Sequence, residues 1–202
     1  MKYFLPILFS CICMYATAQI DTVIIKPSPE FVSHFSKRLN YDRVNVKYHM
    51  EERGNIRDVF VYLSVLEELA NGKKMYAVRI DARANRNIFT DAPLSAAEYI
   101  DADELPKVIG YLQEIIRTMK TSQDAARFTE YRYFTRGGIM LECYTGVNRW
   151  RFCLNYKTGS FGVSNLLAFD KADNLTYINR IDDVQELLAT LENIQREIQQ
   201  MR

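Results

Sequence analysis

The sequence contains few of the residues that usually carry chemistry or cross-link a fold. Its 202 residues include two histidines, one tryptophan, four cysteines, 8 glycines and 5 prolines. No charge predominates, since 26 basic side chains face 25 acidic ones, which excludes the basic footprint of a nucleic-acid-binding protein and a polybasic membrane patch. Beyond the N-terminus, no apolar run approaches the roughly 20 residues of a membrane-spanning helix. We therefore expect a folded protein with no nucleic-acid partner and no transmembrane helix.

The N-terminus has the layout of a secretory signal peptide. Lys2 precedes an apolar stretch over residues 3–15, and small residues follow at the −3 and −1 positions of a cleavage site after Ala18. We expect residues 1–18 to be removed and the mature protein to be periplasmic or secreted. In the alternative, Cys11 carries a lipid that anchors the protein to the cell envelope.

Two similar segments follow each other along the mature chain. The dipeptide Tyr99-Ile100 recurs as Tyr177-Ile178, and an amphipathic helix pattern follows each copy. The apolar positions, at the three- to four-residue spacing of one helix face, are Leu105, Val108, Ile109, Leu112, Ile115 and Met119, and then Val184, Leu187, Leu188, Leu191, Ile194 and Ile198. The match predicts a duplicated unit.

Strand patterns lie upstream of each helix. Residues 58–69 are mostly apolar or β-branched, and the following Asn71-Gly72 predicts a type I′ hairpin turn. That turn would pair Leu63 with Ile80 and Val65 with Val78. The side chains expected on the core face of this hairpin are Val61, Leu63, Val65, Tyr76, Val78 and Ile80.

These patterns predict an α+β fold of two similar antiparallel β-meander-plus-helix repeats, with the helices on one sheet face. The expected organisation is an N-terminal segment over residues 19–40 with a short helix beginning near Ser28, a first repeat over 41–120 and a second over 128–202. Alternatively, the two repeats form one joint domain over 41–202.

A resemblance adds little to this interpretation. Tyr99-Ile100-Asp101, the following Glu104-Leu105 and the strand Ala77-Val78-Arg79-Ile80 resemble a loosely defined family of small bacterial proteins, and the style of the exported chain resembles proteins of Bacteroidetes. The resemblance implies the fold over most of residues 41–200. It implies no activity and no catalytic residue.

The acidic run Asp101-Ala102-Asp103-Glu104 could bind a cation, but the central Gly and distal Glu of a calcium loop do not follow it. We interpret it as a helix start with Asp103 as the N-cap. His34 and His49 have no neighbours at zinc-ligand spacing. We therefore predict neither a metal nor a cofactor.

Cys143 and Cys153 remain after signal cleavage. With residues 145–148 as a hairpin loop, Cys143 would pair with Trp150 and Cys153 with Met140, so the two thiols would point to opposite faces. We expect two buried thiols. A disulfide is the alternative, because an exported protein meets oxidising conditions.

The high aromatic content, 13 tyrosines, 11 phenylalanines and one tryptophan, is the suggestive feature of the composition. Tyr131 and Tyr133 share one strand face, and Trp150 lies between Arg149 and Arg151. These five residues are candidates for binding a protein partner through an exposed sheet face, unless they are ordinary core. The sequence therefore favours a non-enzymatic binding module of the periplasm or envelope over the alternative, a small cysteine-dependent hydrolase or redox protein.

Overall fold

A computed structural model describes residues 21–25, 33–41, 45–83, 95–121, 129–146, 149–156, 175–178 and 180–202. These ranges contain nine strands and three helices. In chain order the elements are β1 (Asp21–Ile25), α1 (His34–Tyr41), β2 (Val46–Ile56), β3 (Val59–Glu68), β4 (Lys74–Arg83), β5 (Ser95–Asp101), α2 (Leu105–Thr121), β6 (Thr129–Phe134), β7 (Ile139–Gly146), β8 (Arg149–Tyr156), β9 (Leu175–Tyr177) and α3 (Ile181–Met201).

The strands form two sheets. The first has four antiparallel strands in the order β2-β3-β4-β5. The second has the order β1-β6-β7-β8-β9, in which β6 to β9 are antiparallel and β1 lies parallel to β6 at the edge. The predicted α+β class is confirmed, although β1 was not expected in the N-terminal segment. Four antiparallel strands followed by a helix occur twice in the chain; descent of the two units by duplication stays a prediction.

The β3–β4 hairpin lies where Asn71-Gly72 predicted a turn, but its register differs by two residues. Leu63 pairs with Val78 rather than with Ile80. A type I′ turn needs a positive φ at both central residues, but only Gly72 has one, at 69°, so the turn is of another type. The Asn71 side chain instead accepts a hydrogen bond from the backbone N–H of Lys73. A displacement of two residues leaves every side chain on its predicted face, and the six predicted core-face residues all belong to, or pack against, the main core.

The two long helices pack across the halves of the chain. The Tyr111 hydroxyl of α2 lies 3.0 Å and 3.1 Å from backbone carbonyl oxygens of β6 and β7 in the second sheet. Glu197 of α3 accepts two hydrogen bonds from Arg53 of β2, and Thr190 of α3 lies against Gly54 of the same strand. The sequence predicted that each helix closes its own repeat, whereas these contacts tie each helix to the other half. One buried core consequently contains apolar side chains from both sheets and both helices.

The short helix α1 covers the other face of the first sheet. The Ser33 hydroxyl accepts a hydrogen bond from a first-turn N–H and so caps α1, whereas the start predicted near Ser28 lies outside the described residues. The Phe35 ring stacks on Tyr99 with the ring centroids 5.0 Å apart. This second buried cluster consists of Phe35, Leu66, Ala77 and Tyr99. The face of the first sheet opposite the long helices is therefore covered in part by α1.

Candidate functional site

The acidic segment before α2 joins three parts of the molecule. Asp101 accepts hydrogen bonds from the backbone N–H groups of His34 (2.8 Å) and Phe35 (3.0 Å) and thereby caps α1. The Arg136 guanidinium, from the turn between β6 and β7, donates to Asp101 (2.8 Å) and through two nitrogens to Asp103 (3.1 Å and 3.0 Å). The segment does cap a helix, but that helix is α1 rather than α2, because the Asp103 carboxylate that was expected to cap α2 is held by Arg136.

Glu104 completes this junction. Its carboxylate accepts a hydrogen bond from the backbone N–H of Arg136 at 2.8 Å, and its burial raises the pKa of the Glu104 carboxyl. Hydrogen bonding to Arg136 holds the pKa of Asp103 below its ordinary value. Within the described ranges, no three His, Cys, Asp or Glu side chains converge on a position that could hold a metal ion. The acidic segment therefore links elements of the fold and offers no cation site there.

The cysteines lie next to each other on β7 and β8 but face opposite sides of the sheet. Cys143 pairs with Phe152 rather than with Trp150, and Cys153 pairs with Glu142, because the hairpin loop is two residues shorter than predicted. The shift again preserves the faces. Both thiols are buried and free, so no disulfide links them.

Neither thiol is set up as a nucleophile. Burial raises the pKa of Cys143 to about 12 and also raises the pKa of Cys153, so both remain protonated at neutral pH. Both histidines are exposed. His34 lies on α1, which packs against the first sheet, and His49 lies on β2 within that sheet. The described residues therefore form no Cys–His pair.

The five predicted binding residues divide between the two faces of the second sheet. Tyr131, Tyr133 and Trp150 lie on the face that packs against α2, where Tyr133 is buried and the other two contact the core. Arg149 and Arg151 alternate with Trp150 along β8 and therefore face the other side. The predicted Tyr/Arg/Trp surface does not form as one face, because side chains alternate along a strand and the tyrosine face is the one that meets the helix.

The tyrosines instead form one wall of a groove between α2 and β6. Its volume is about 550 Å³. The residues that line it are Lys107, Gly110, Tyr111, Glu114 and Ile115 from α2, with Tyr131 and Tyr133 from β6. The helix residues recur every three to four positions and therefore share one face of α2. We call this feature the α2–β6 groove.

Ring contacts fix the aromatic wall of the α2–β6 groove. The rings of Tyr111 and Tyr133 have centroids 5.5 Å apart, and Tyr131 has its ring centroid 6.0 Å from that of Trp150. Trp150 is the only tryptophan in the chain and lies directly behind a groove-lining side chain. Because aromatic pairs at these distances stabilise each other, the wall is held in place without a ligand.

The phenols that line the groove are harder to ionise than free tyrosine. Burial raises the pKa of Tyr111, and burial together with nearby Glu104 raises the pKa of Tyr133 to about 12. Both phenols are therefore neutral at physiological pH and cannot serve as bases there. Glu114 is paired with Arg117 at 2.7 Å on the rim. The groove offers aromatic rings and two rim charges, whereas the hydroxyls of Tyr111 and Tyr133 are engaged by backbone carbonyl oxygens and by Glu104.

Sequence reasoning found one wall of this groove and missed the other. Tyr131 and Tyr133 were singled out, whereas Lys107, Gly110 and Tyr111 were not. Two signals in α2 were available: a glycine in the middle of a helix, and a tyrosine beside otherwise aliphatic core positions. Neither signal says which sheet the helix packs against, so neither locates a groove.

Comparison with known proteins found no matching family model, no similar curated protein and no similar solved structure. Among the described helices, none is both long and apolar enough to cross a bilayer.

Proposed function

We propose that this protein is an exported binding module that holds a small, largely apolar molecule in the α2–β6 groove without converting it chemically. The observation that carries the proposal is the lining of the groove, in which three tyrosines and an isoleucine surround a space of about 550 Å³. Small-molecule sites are typically clefts of about 300–1,000 Å³ with mostly apolar walls and a few polar groups. None of the described residues that line the groove is a histidine or a cysteine.

The two other functions considered from the sequence have less support. A cysteine-dependent hydrolase or redox protein needs an accessible thiolate, whereas the thiols here are buried and their pKa values are raised. A protein partner on an open sheet face would have used Tyr131 and Tyr133, which face α2 instead. Groove binding uses these same tyrosines and needs no further surface.

Export is part of the proposal and rests on residues 1–18, which lie outside the described residues. We propose a location in the periplasm or at the envelope. Expression of the full chain in a bacterium, followed by mass determination of its N-terminus, should give a chain that begins at Gln19. A lipid-modified chain beginning at Cys11 would instead indicate envelope anchoring, and an uncleaved cytoplasmic chain would refute export.

Binding is tested with N-phenyl-1-naphthylamine, an uncharged dye that becomes fluorescent in apolar surroundings. Excitation of Trp150, the single tryptophan, should transfer energy to dye bound beside Tyr131, because the rings of Trp150 and Tyr131 are in contact. Gly110→Leu fills the groove. Lys120→Leu adds the same side chain at another exposed position of α2 that does not line the groove and serves as the control.

We expect saturable dye binding and energy transfer in the wild type and in Lys120→Leu, and loss of both in Gly110→Leu. Circular dichroism would verify that all three proteins are folded. The proposal is refuted if the folded wild type binds no dye, or if all three proteins bind it equally.

A further inference from the structure

We propose that the ligand of the α2–β6 groove is a small amphipathic carboxylate, whose apolar body lies over Gly110 and whose carboxylate pairs with Lys107. This inference rests on the proposed binding function and names its ligand class. Two independent observations carry it: a missing side chain at Gly110, and a lysine with no ion-pair partner among the described residues.

The first observation is Gly110, which lies inside α2. Among the residues that the structure describes, no atom lies within 4 Å of a Cβ built at this position, and Gly110 does not have the positive φ that would require glycine. Glycine destabilises a helix interior relative to alanine, so the fold alone would favour a side chain here. The missing side chain opens the groove and lets a ligand approach the helix backbone between Tyr111 and Tyr131.

The second observation concerns the two charges that line the groove. Glu114 is neutralised by Arg117, which donates three hydrogen bonds of 2.7–3.1 Å to its carboxylate. No ion pair engages Lys107 within the ranges that the structure describes. Lys107 lies one turn before Gly110 on the same helix face and also lines the groove.

Nearby acidic residues do not satisfy Lys107. Asp101 and Asp103 are bound by the Arg136 guanidinium, and Glu104 is buried against the Arg136 backbone N–H. A ligand anion would therefore meet a lysine whose acidic neighbours are already engaged. The aromatic rings beside Lys107 match an aliphatic or aromatic body better than a sugar or a nucleotide, whose many polar groups would be left without partners.

The test compares three ligands with the same ten-carbon chain: decanoate, decanol and decyltrimethylammonium. Each is titrated at pH 8 and low salt against protein loaded with N-phenyl-1-naphthylamine, and dye displacement is measured together with Trp150 emission. We expect decanoate to displace the dye at about a fivefold lower concentration than decanol, which is the scale of a partly exposed ion pair. Decyltrimethylammonium should be the weakest of the three.

Two charge-matched variants separate the proposed pair from a general charge effect. Lys107→Ala should remove the preference for decanoate over decanol, whereas Lys120→Ala, which removes the same charge from the same helix outside the groove, should keep it. Gly110→Ala should weaken all three ligands, because its methyl group occupies the floor. Added salt should reduce the decanoate preference in the wild type.

The inference is overturned if decanol matches decanoate, if the cationic ligand binds best, or if the two lysine variants behave alike. In each of these cases dye binding that is lost in Gly110→Leu would still support the binding function. Absence of dye binding in the folded wild type would overturn the binding function and this inference with it.

Discussion

Gly137 should be among the least replaceable residues in the protein, because its missing side chain allows two halves of the chain to touch. It lies in the turn between β6 and β7, next to Arg136. A Cβ at this position would lie 2.2 Å from the backbone oxygen of Tyr99 in β5 and 3.2 Å from its carbonyl carbon. The first distance is more than about 1 Å short of an ordinary contact, so the turn or the strand must move.

The expected cost of Gly137→Ala follows from what would have to move. Overpacking in a well-packed region costs about 1–3 kcal/mol, and here the obstacle is hydrogen-bonded backbone rather than a flexible side chain. Movement of the turn would also disturb the hydrogen bonds of Arg136 to Asp101 and Asp103, and charged hydrogen bonds contribute about 1.5–3 kcal/mol each. We therefore expect a loss of about 3–5 kcal/mol in the free energy of unfolding, and a Tm about 10 °C lower.

Two other glycines provide matched controls for the same chemical change. Gly72→Ala places a methyl group in open space at a φ of 69° and should cost about 1 kcal/mol through backbone strain alone. Gly110→Ala places one in open space on a helix and should stabilise the fold by about 1 kcal/mol. Urea unfolding followed by circular dichroism would rank the three variants. The reasoning is wrong if Gly137→Ala is no more destabilising than Gly72→Ala.

Three further predictions concern charged and titratable groups. Arg136→Ala should lower the free energy of unfolding by about 2–3 kcal/mol, because it leaves the buried Asp101 carboxylate without its cation. Arg117→Ala, on the surface, should change the free energy of unfolding by less than about 0.5 kcal/mol. Similar losses for the two variants in urea unfolding would contradict this. Burial and a hydrogen bond to a neighbouring carboxyl raise the pKa of Glu142 to about 7, above its unfolded value of 4.5. Because the folded state then binds more protons, the free energy of unfolding should fall by about 2–3 kcal/mol as the pH rises between these two values. Glu142→Gln should flatten this pH profile, and an unchanged slope would count against the assignment. Cys143 should react with a thiol reagent at pH 7 only after unfolding, because burial raises its pKa to about 12, and rapid stoichiometric reaction of the folded protein would disprove this.

Side-chain faces could be predicted from the sequence because they depend only on alternation. The β3–β4 hairpin has a loop two residues longer than predicted and the β7–β8 hairpin has one two residues shorter, yet Leu63 and Cys143 both lie on their predicted faces. An even error in register moves a residue along the sheet and leaves it on the same side. The exact partner depends on the turn, and the Asn71 side chain accepted a backbone hydrogen bond in a way that the Asn-Gly rule does not anticipate.

The candidate site could be predicted only in part, because it depends on which sheet each helix meets. The apolar spacing in α2 predicts a buried face, but the same spacing would suit either sheet. Tyr111 settles the choice in the structure, since its hydroxyl reaches carbonyl oxygens of β6 and β7. Arg136 adds a second long-range tie that no local pattern marks. The wall from β6 was visible in the sequence as alternating tyrosines, whereas the wall from α2 required the packing of the two halves.

This packing also couples the groove to the junction at Arg136. Tyr133 lines the groove near the end of β6, three residues before Arg136 in the following turn. It also shares a hydrogen bond with Glu104, which binds the Arg136 backbone. A displaced turn would therefore move the end of β6 and with it the aromatic wall. For this reason Gly137→Ala should weaken dye binding although Gly137 does not line the groove, while Gly72→Ala, at the far end of another hairpin, should leave binding unchanged at temperatures where both variants are folded. Equal dye binding by the two variants would mean that the groove depends on α2 and β6 alone and not on the contact between the β6–β7 turn and β5.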